Sequence, residues 1–127
     1  MEKDKRKFDR IVIPNAFVSI CNSLNSFSLF KKHSEKYPLV DLTKSGLCFK
    51  SVRNFKIGEP ITLEIKVDHH RAFKIKVHVL WTKMDKKDHS YFIGARIHAF
   101  GNFGDLNPLK CLDRLKQLEL LYTNQEP

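Results

Sequence analysis

Three consecutive segments alternate apolar and polar residues at period two, and nothing else in the chain constrains the fold as tightly. Ile61, Leu63, Ile65 and Val67 interleave with Thr62, Glu64 and Lys66. Phe73, Ile75, Val77, Val79 and Trp81 interleave with Lys74, Lys76 and His78. Tyr91, Ile93, Ala95, Ile97 and Ala99 alternate against Phe92, Gly94, Arg96 and His98. Successive side chains of a strand point to opposite faces, so each segment predicts a strand with one buried and one wet face. The polar runs Asp68-His69-His70-Arg71 and Asp85-Lys86-Lys87-Asp88 connect them. Three long strands joined by short polar turns read as an antiparallel meander.

Shorter strands precede the meander. Residues 10–20 read as an edge or bulged strand interrupted by Pro14. In it Val12, Ala16, Val18 and Ile20 fall near one face, and Ile11, Ile13 and Phe17 on the other. Residues 21–26 read as a turn, Phe27 to Phe30 as a short apolar stretch and Lys31 to Lys36 as a charged loop. Tyr37 to Leu42 and Leu47 to Phe49 predict two more strands. About six strands at such spacing suit a small barrel or sandwich. The chain then changes period. Asn107-Pro108 supplies a helix cap with Pro in the first turn. Leu109, Leu112, Leu115, Leu118 and Leu121 follow at about helical spacing, which predicts an amphipathic helix of roughly four turns covering the open end of a barrel.

A chain of 127 residues that is 42% hydrophobic fits one domain with a real core. We assign residues 1–9 to a flexible basic N-terminal segment and residues 10–122 to a single domain. The formal net charge of +9 favours anionic partners: nucleotide, nucleic acid, acidic protein or a membrane surface. Cys21, Cys48 and Cys111 are odd in number and form no C-x-x-C, so neither a disulfide framework nor a zinc knuckle is expected. The charged N-terminus lacks the apolar core of a secretory signal, and no apolar run reaches the length of a membrane span. A cytoplasmic protein is expected. The six histidines have no partners at metal-ligand spacing, and no metal site or cofactor is expected. There is no P-loop, nucleophile elbow or H-E-x-x-H, so nothing supports an enzyme.

Two polar motifs remain. Arg6 and Arg10 form an R-x-x-x-R run just before the first apolar segment. Each guanidinium is a permanently charged planar fork that pairs bidentately with phosphate or with guanine O6 and N7. About thirty residues later Asp41, Thr43 and Gly46 form a D-x-[ST]-x-x-G turn between two short strands. Asp and Thr side chains fold back onto their own backbone in such turns, and the glycine is expected to supply positive φ where the chain re-enters a strand. A carboxylate there can accept from the N1–H and N2–H₂ edge of guanine, and the hydroxyls of Thr43 and Ser45 can serve phosphate oxygens. Taken singly, the first motif also reads as a solvated charge run and the second as a hairpin loop.

With both motifs in this order, the chain resembles the PilZ domain family, bacterial receptors for cyclic di-GMP. The resemblance spans about residues 6 to 120 and includes Val79-Leu80-Trp81 and Tyr91-Phe92-Ile93-Gly94-Ala95-Arg96-Ile97, which is similar to the family's last strand. It implies a mainly β fold, a six-stranded antiparallel β-barrel of the PilZ-like split type with a C-terminal helix. It implies that Arg6 and Arg10 grip guanine and phosphate while Asp41, Thr43 and Gly46 hold the other side of the ligand. Lys5 and Ser45 are secondary candidates. Thr43 stands where the family usually has Ser, and Ser45 where it often has Gly. The expected role is that of a receptor or adaptor in which ligand orders the arginine segment and alters the surface shown to an effector protein. The alternative is a PilZ-like interaction module that binds no nucleotide. A barrel for single-stranded nucleic acid is disfavoured, because the strand aromatics read as inward-facing while Lys74 and Lys76 face out without rings between them.

Overall fold

A computed structural model gives the structure of the chain, and residues 11–22, 36–43, 45–102, 104 and 106–123 are described. In chain order the elements are β1 (Ala16–Asn22), β2 (Lys36–Leu42), β3 (Gly46–Ser51), β4 (Pro60–Val67), β5 (Phe73–Asp85), β6 (Ser90–Ile97) and α1 (Leu109–Thr123). Every ladder is antiparallel, and the strands close in the order β1-β2-β3-β6-β5-β4. Of the barrel or sandwich that the strand spacing allows, the structure is the barrel, six-stranded with a C-terminal helix as the resemblance implies. The expected apolar stretch Phe27 to Phe30, the charged loop up to residue 35 and the basic segment 1–9 lie outside the described residues.

The period-two residues fill the barrel. Ile61, Leu63, Ile65 and Val67 of β4, Ile75, Val77 and Val79 of β5, and Ile93, Ala95 and Ile97 of β6 are all buried. Each large aliphatic side chain so buried contributes about 1.5–3 kcal/mol relative to exposure. Phe49 is fully buried, with the rings of Tyr37 and Phe55 at 5.9 Å and 6.0 Å. The hairpin joining β5 to β6 is clipped to β3 by Lys50, whose Nζ lies 3.0 Å from Asp85 Oδ2 and 2.9 Å from Asp88 Oδ2. The Ser90 hydroxyl, and then the Lys50 ammonium, hold the Asp88 carboxyl below the usual carboxylate range.

Four expectations are corrected. Ile11 and Ile13 are buried along with Ala16 and Val18, whereas Val12 and Phe17 are exposed. The strand does not run straight from residue 10: Pro14 and Asn15 make a turn in which Asn15 takes φ 59°, and this changes which alternate residues face inward. Trp81 is not on the inner face. The β5–β6 register shifts between Val79 and Trp81, a bulge that leaves Trp81 44% exposed. Asn107 does not cap the helix with its side chain. It is fully buried, Oδ1 accepts from Lys76 N, and Nδ2 donates to the carbonyls of Lys76 and His98. The leucine repeat is only half buried. A three-residue step turns a helix by about 300°, so the stripe drifts around the axis. Cys111, Leu115 and Leu118 face the barrel, while Leu109 and Leu121 are exposed.

Candidate functional site

The turn between β2 and β3 is built around one hydroxyl. Thr43 Oγ1 accepts from Ser45 N at 3.1 Å and Gly46 N at 3.0 Å, and donates to Gly46 O at 3.2 Å. Thr43 N also donates to Gly46 O at 2.8 Å. The expected back-folding of the threonine is therefore present. Its hydroxyl proton, however, is used inside the turn, so Thr43 shapes the loop rather than presenting a donor outward. The Ser45 hydroxyl stands 3.4 Å from Thr43 Oγ1 on the half-exposed side of the turn. Ile97 N donates to Ser45 O at 2.8 Å, which fastens the turn to the end of β6.

Gly46 is needed for a reason other than the one expected. Positive φ among the glycines occurs at Gly58, not at Gly46. Gly46 instead pairs with Arg96 so closely that a Cβ on it would lie 2.9 Å from the carbonyl oxygen of Ala95. The constraint is a close approach of two backbones, and the neighbour is main chain that cannot rotate away.

Asp41 reaches the outer surface through a bulge. Leu39 faces inward opposite Phe49, and a regular strand would turn Asp41 the same way. The register shifts between Leu39 and Asp41, so Asp41 pairs with Cys48 and Leu42 takes the inner position opposite Leu47. Cys48 pairs with Gly94, and Gly94 pairs with Trp81. The two bulges, in β2 and β5, thus put a carboxylate and an indole at opposite ends of one cross-strand row, roughly 14 Å apart at three strand spacings. The indole covers Gly94: a Cβ there would lie 2.1–2.6 Å from three of its ring atoms. One row along, Gly46 pairs with Arg96, and Arg96 with His78. Arg96 is exposed and sets a cation beside the turn. His78 and His98 are half-buried, with ring centroids 5.2 Å apart.

The described chain begins at this surface. Ile11 N donates to Leu42 O and Leu42 N to Ile11 O, each at 3.0 Å, an isolated antiparallel bridge. Leu42 lies between Asp41 and Thr43. Arg6, Arg10 and Lys5 lie outside the described residues. The outer face of β2, β3, β6 and β5 therefore gathers Asp41, the Thr43–Gly46 turn, Arg96 and Trp81. Asp41, Thr43, Ser45 and Gly46 were legible as site candidates; Arg96 and Trp81 were not singled out. The signal for Trp81 was available in Val79-Leu80-Trp81, where three apolar residues in succession break the alternation and mark the bulge.

The model of the PilZ domain matches residues 4–104. The chain belongs to the PilZ domain family. No curated protein matches the sequence. Among solved structures, this PilZ domain is similar to YcgR from Escherichia coli in complex with c-di-GMP, at 13% identity and TM-score 0.63, covering 92% of this chain and 45% of that one. It is similar to the MrkH–c-di-GMP complex of K. pneumonia at 11% identity and TM-score 0.69, covering 94% and 53%. It is also similar to the Bacillus subtilis inhibitor of motility MotI/DgrA at 14% identity and TM-score 0.60, covering 98% and 55%. At these identities the likeness is one of fold. The chain spans about half the length of these three proteins. No helix among the described residues of this PilZ domain is long and apolar enough to cross a membrane. No group of three or more metal-ligating side chains occurs among them either.

Proposed function

We propose that this PilZ domain is a receptor for cyclic di-GMP, and that binding draws the R-x-x-x-R segment over the Asp41–Gly46 turn and so changes the surface offered to a partner protein. The observation that carries this reading is the pair of hydrogen bonds between Ile11 and Leu42. Arg10 is one peptide bond from Ile11, so its Cα is about 3.8 Å away. Arg6 is at most roughly 17 Å from Ile11 along an extended chain. A guanidinium at either position has the reach to meet a ligand seated on the turn. The YcgR and MrkH structures are complexes with c-di-GMP, which supports the same ligand class here.

In this reading the parts divide by chemistry. Arg6 and Arg10 take guanine O6 and N7 or a phosphate, and Lys5 adds a point charge for a phosphate oxygen. Asp41 accepts from the N1–H and N2–H₂ edge of guanine. The Thr43 hydroxyl keeps the turn in shape, the Ser45 hydroxyl is the outward donor, and Gly46 lets the turn lie against β6. Arg96 offers a further cation, and the exposed face of Trp81 a surface on which a base can stack. The arginine segment, ordered by the ligand, is the element that an effector protein reads. The domain acts as a receptor in the cytoplasm rather than as an enzyme.

Calorimetric titration of the purified protein with c-di-GMP tests the assignment and gives the stoichiometry, including stacked pairs of ligand. Saturable binding that a GTP control does not reproduce is the expected result. No heat of binding at high micromolar c-di-GMP would instead support an interaction module that takes no nucleotide.

A further inference from the structure

A groove that does not include Asp41 or Trp81 lies elsewhere on the barrel. It measures about 690 Å³ and runs between the outer face of β4 and β5, Gly101, Asn102, Gly104 and Leu106, and the first turn of α1. Its volume is in the range of small-molecule sites, about 300–1,000 Å³. Lys74 and Lys76 on the outer face of β5 and Lys110 in the first turn of α1 line it. The Lys76 ammonium is already held in place, because Nζ donates to Gly104 O at 2.8 Å and keeps two further protons for a ligand. Leu106, Pro108 and Leu109 make an apolar wall, and Leu109 is 47% exposed there. Thr62 and Asn102 add uncharged polar groups. Glu64 stands opposite Lys74 in the β4–β5 register and offsets part of one charge.

Three lysines lining one groove raise its positive potential, and an anion seated among them is attracted to it. The apolar wall favours a ligand with a body as well as a head. We propose that this groove binds an organic phosphate: an anionic head held by Lys74, Lys76 and Lys110, with an apolar or aromatic body against Leu106 and Leu109. The first turn of α1 contains no acidic residue, so nothing in it opposes an anion. Along β5, Lys76 precedes Trp81 by five residues, roughly 17 Å of strand. Lys76 is only two residues from His78, the strand partner of Arg96, so the groove adjoins the nucleotide surface on that side, but its lining residues are different and the site does not depend on that assignment.

Amide correlation spectra of the ¹⁵N-labelled protein, titrated with phenyl phosphate, test the site. Parallel arms use inorganic phosphate and phosphatidylglycerol vesicles. The expected result is saturable shifts at Lys74, Lys76, Gly101, Asn102 and Lys110 with phenyl phosphate, and weaker binding of inorganic phosphate at the same amides. Stronger effects of the vesicles on those same amides would assign the phosphate to a lipid headgroup; no vesicle effect assigns it to a free ligand. The double variant Lys74→Gln, Lys110→Glu should weaken phenyl phosphate binding at least tenfold while its Tm and its c-di-GMP titration stay unchanged. A glutamate in the first turn suits the helix pole, so the fold is not expected to suffer. Shifts that rise without saturation across all surface lysines, or equal binding by the double variant, would overturn the proposal.

Discussion

Replacing Arg10 with alanine should weaken c-di-GMP binding by roughly ten- to a hundredfold and leave the barrel intact. A hydrogen bond to a charged group contributes about 1.5–3 kcal/mol net, and each 1.4 kcal/mol is a factor of ten in affinity. Arg10 adjoins Ile11, whose backbone is bonded to Leu42 within the turn motif, so the chain connects it to that anchor by a single peptide bond. Arg6 lies four residues further from that anchor, and Arg6→Ala should weaken binding on the same scale. Both losses should shrink as salt rises, since part of the attraction is screened. A permanently charged guanidinium is not a core-forming group, so thermal unfolding should be unchanged. Calorimetry on the two variants, with a thermal melt of each, reads both quantities. Wild-type affinity in both would remove the arginines from the site.

The second large effect is expected at two glycines, and the contrast between them is informative. At Gly46 the added Cβ meets the Ala95 carbonyl, 2.9 Å away and part of the β6 backbone. Gly46→Val must push β3 and β6 apart beside the turn. Overpacking of this kind costs about 1–3 kcal/mol, a fall in Tm of roughly 5–15 °C for a domain of this size, and distortion of the turn should abolish tight c-di-GMP binding with it. At Gly94 the added Cβ meets the Trp81 indole, which is a side chain and can swing away. Gly94→Ala should therefore cost less stability and instead displace the ring. Trp81 is the chain's one tryptophan, so its emission should shift to the red as the indole enters water. If a guanine stacks there, c-di-GMP affinity should fall by roughly ten- to a hundredfold, the loss expected for one aromatic stacking contact. A melt, an emission spectrum and a titration of each variant separate a backbone clash from a lost stacking face.

The strand pattern of this protein was legible because burial at period two is written directly into residues 61–67, 73–79 and 91–97. What was not legible traces to breaks in that period. Val40 and Leu80 are the extra residues of two bulges, and each flips the face of everything after it, so Asp41 and Trp81 emerge on the outside. The left-handed Asn15 does the same for Ile11 and Ile13. Asn107 looked like a helix cap by its position before Pro108, and only the tertiary fold could turn its side chain to Lys76 and His98. The turn motif was recognisable by residue type, and the back-folding of Thr43 was expected, yet the reason for the glycine differs. Thr43 bonds its own loop, and Gly46 is fixed by its nearness to Ala95 rather than by φ. That nearness joins residues about fifty apart in the chain, which no local reading contains. The meeting of Ile11 with Leu42 is likewise a long-range pairing. It joins two motifs that the sequence shows only as separated.

Closure of the arginine segment onto the turn by ligand is read most directly by amide hydrogen exchange, followed with and without saturating c-di-GMP. Slower exchange in residues 5–10 together with residues 41–46, and no comparable change at the Lys86–His89 hairpin, is the predicted result. Calorimetrically proven binding that leaves exchange in residues 5–10 unaltered would contradict it.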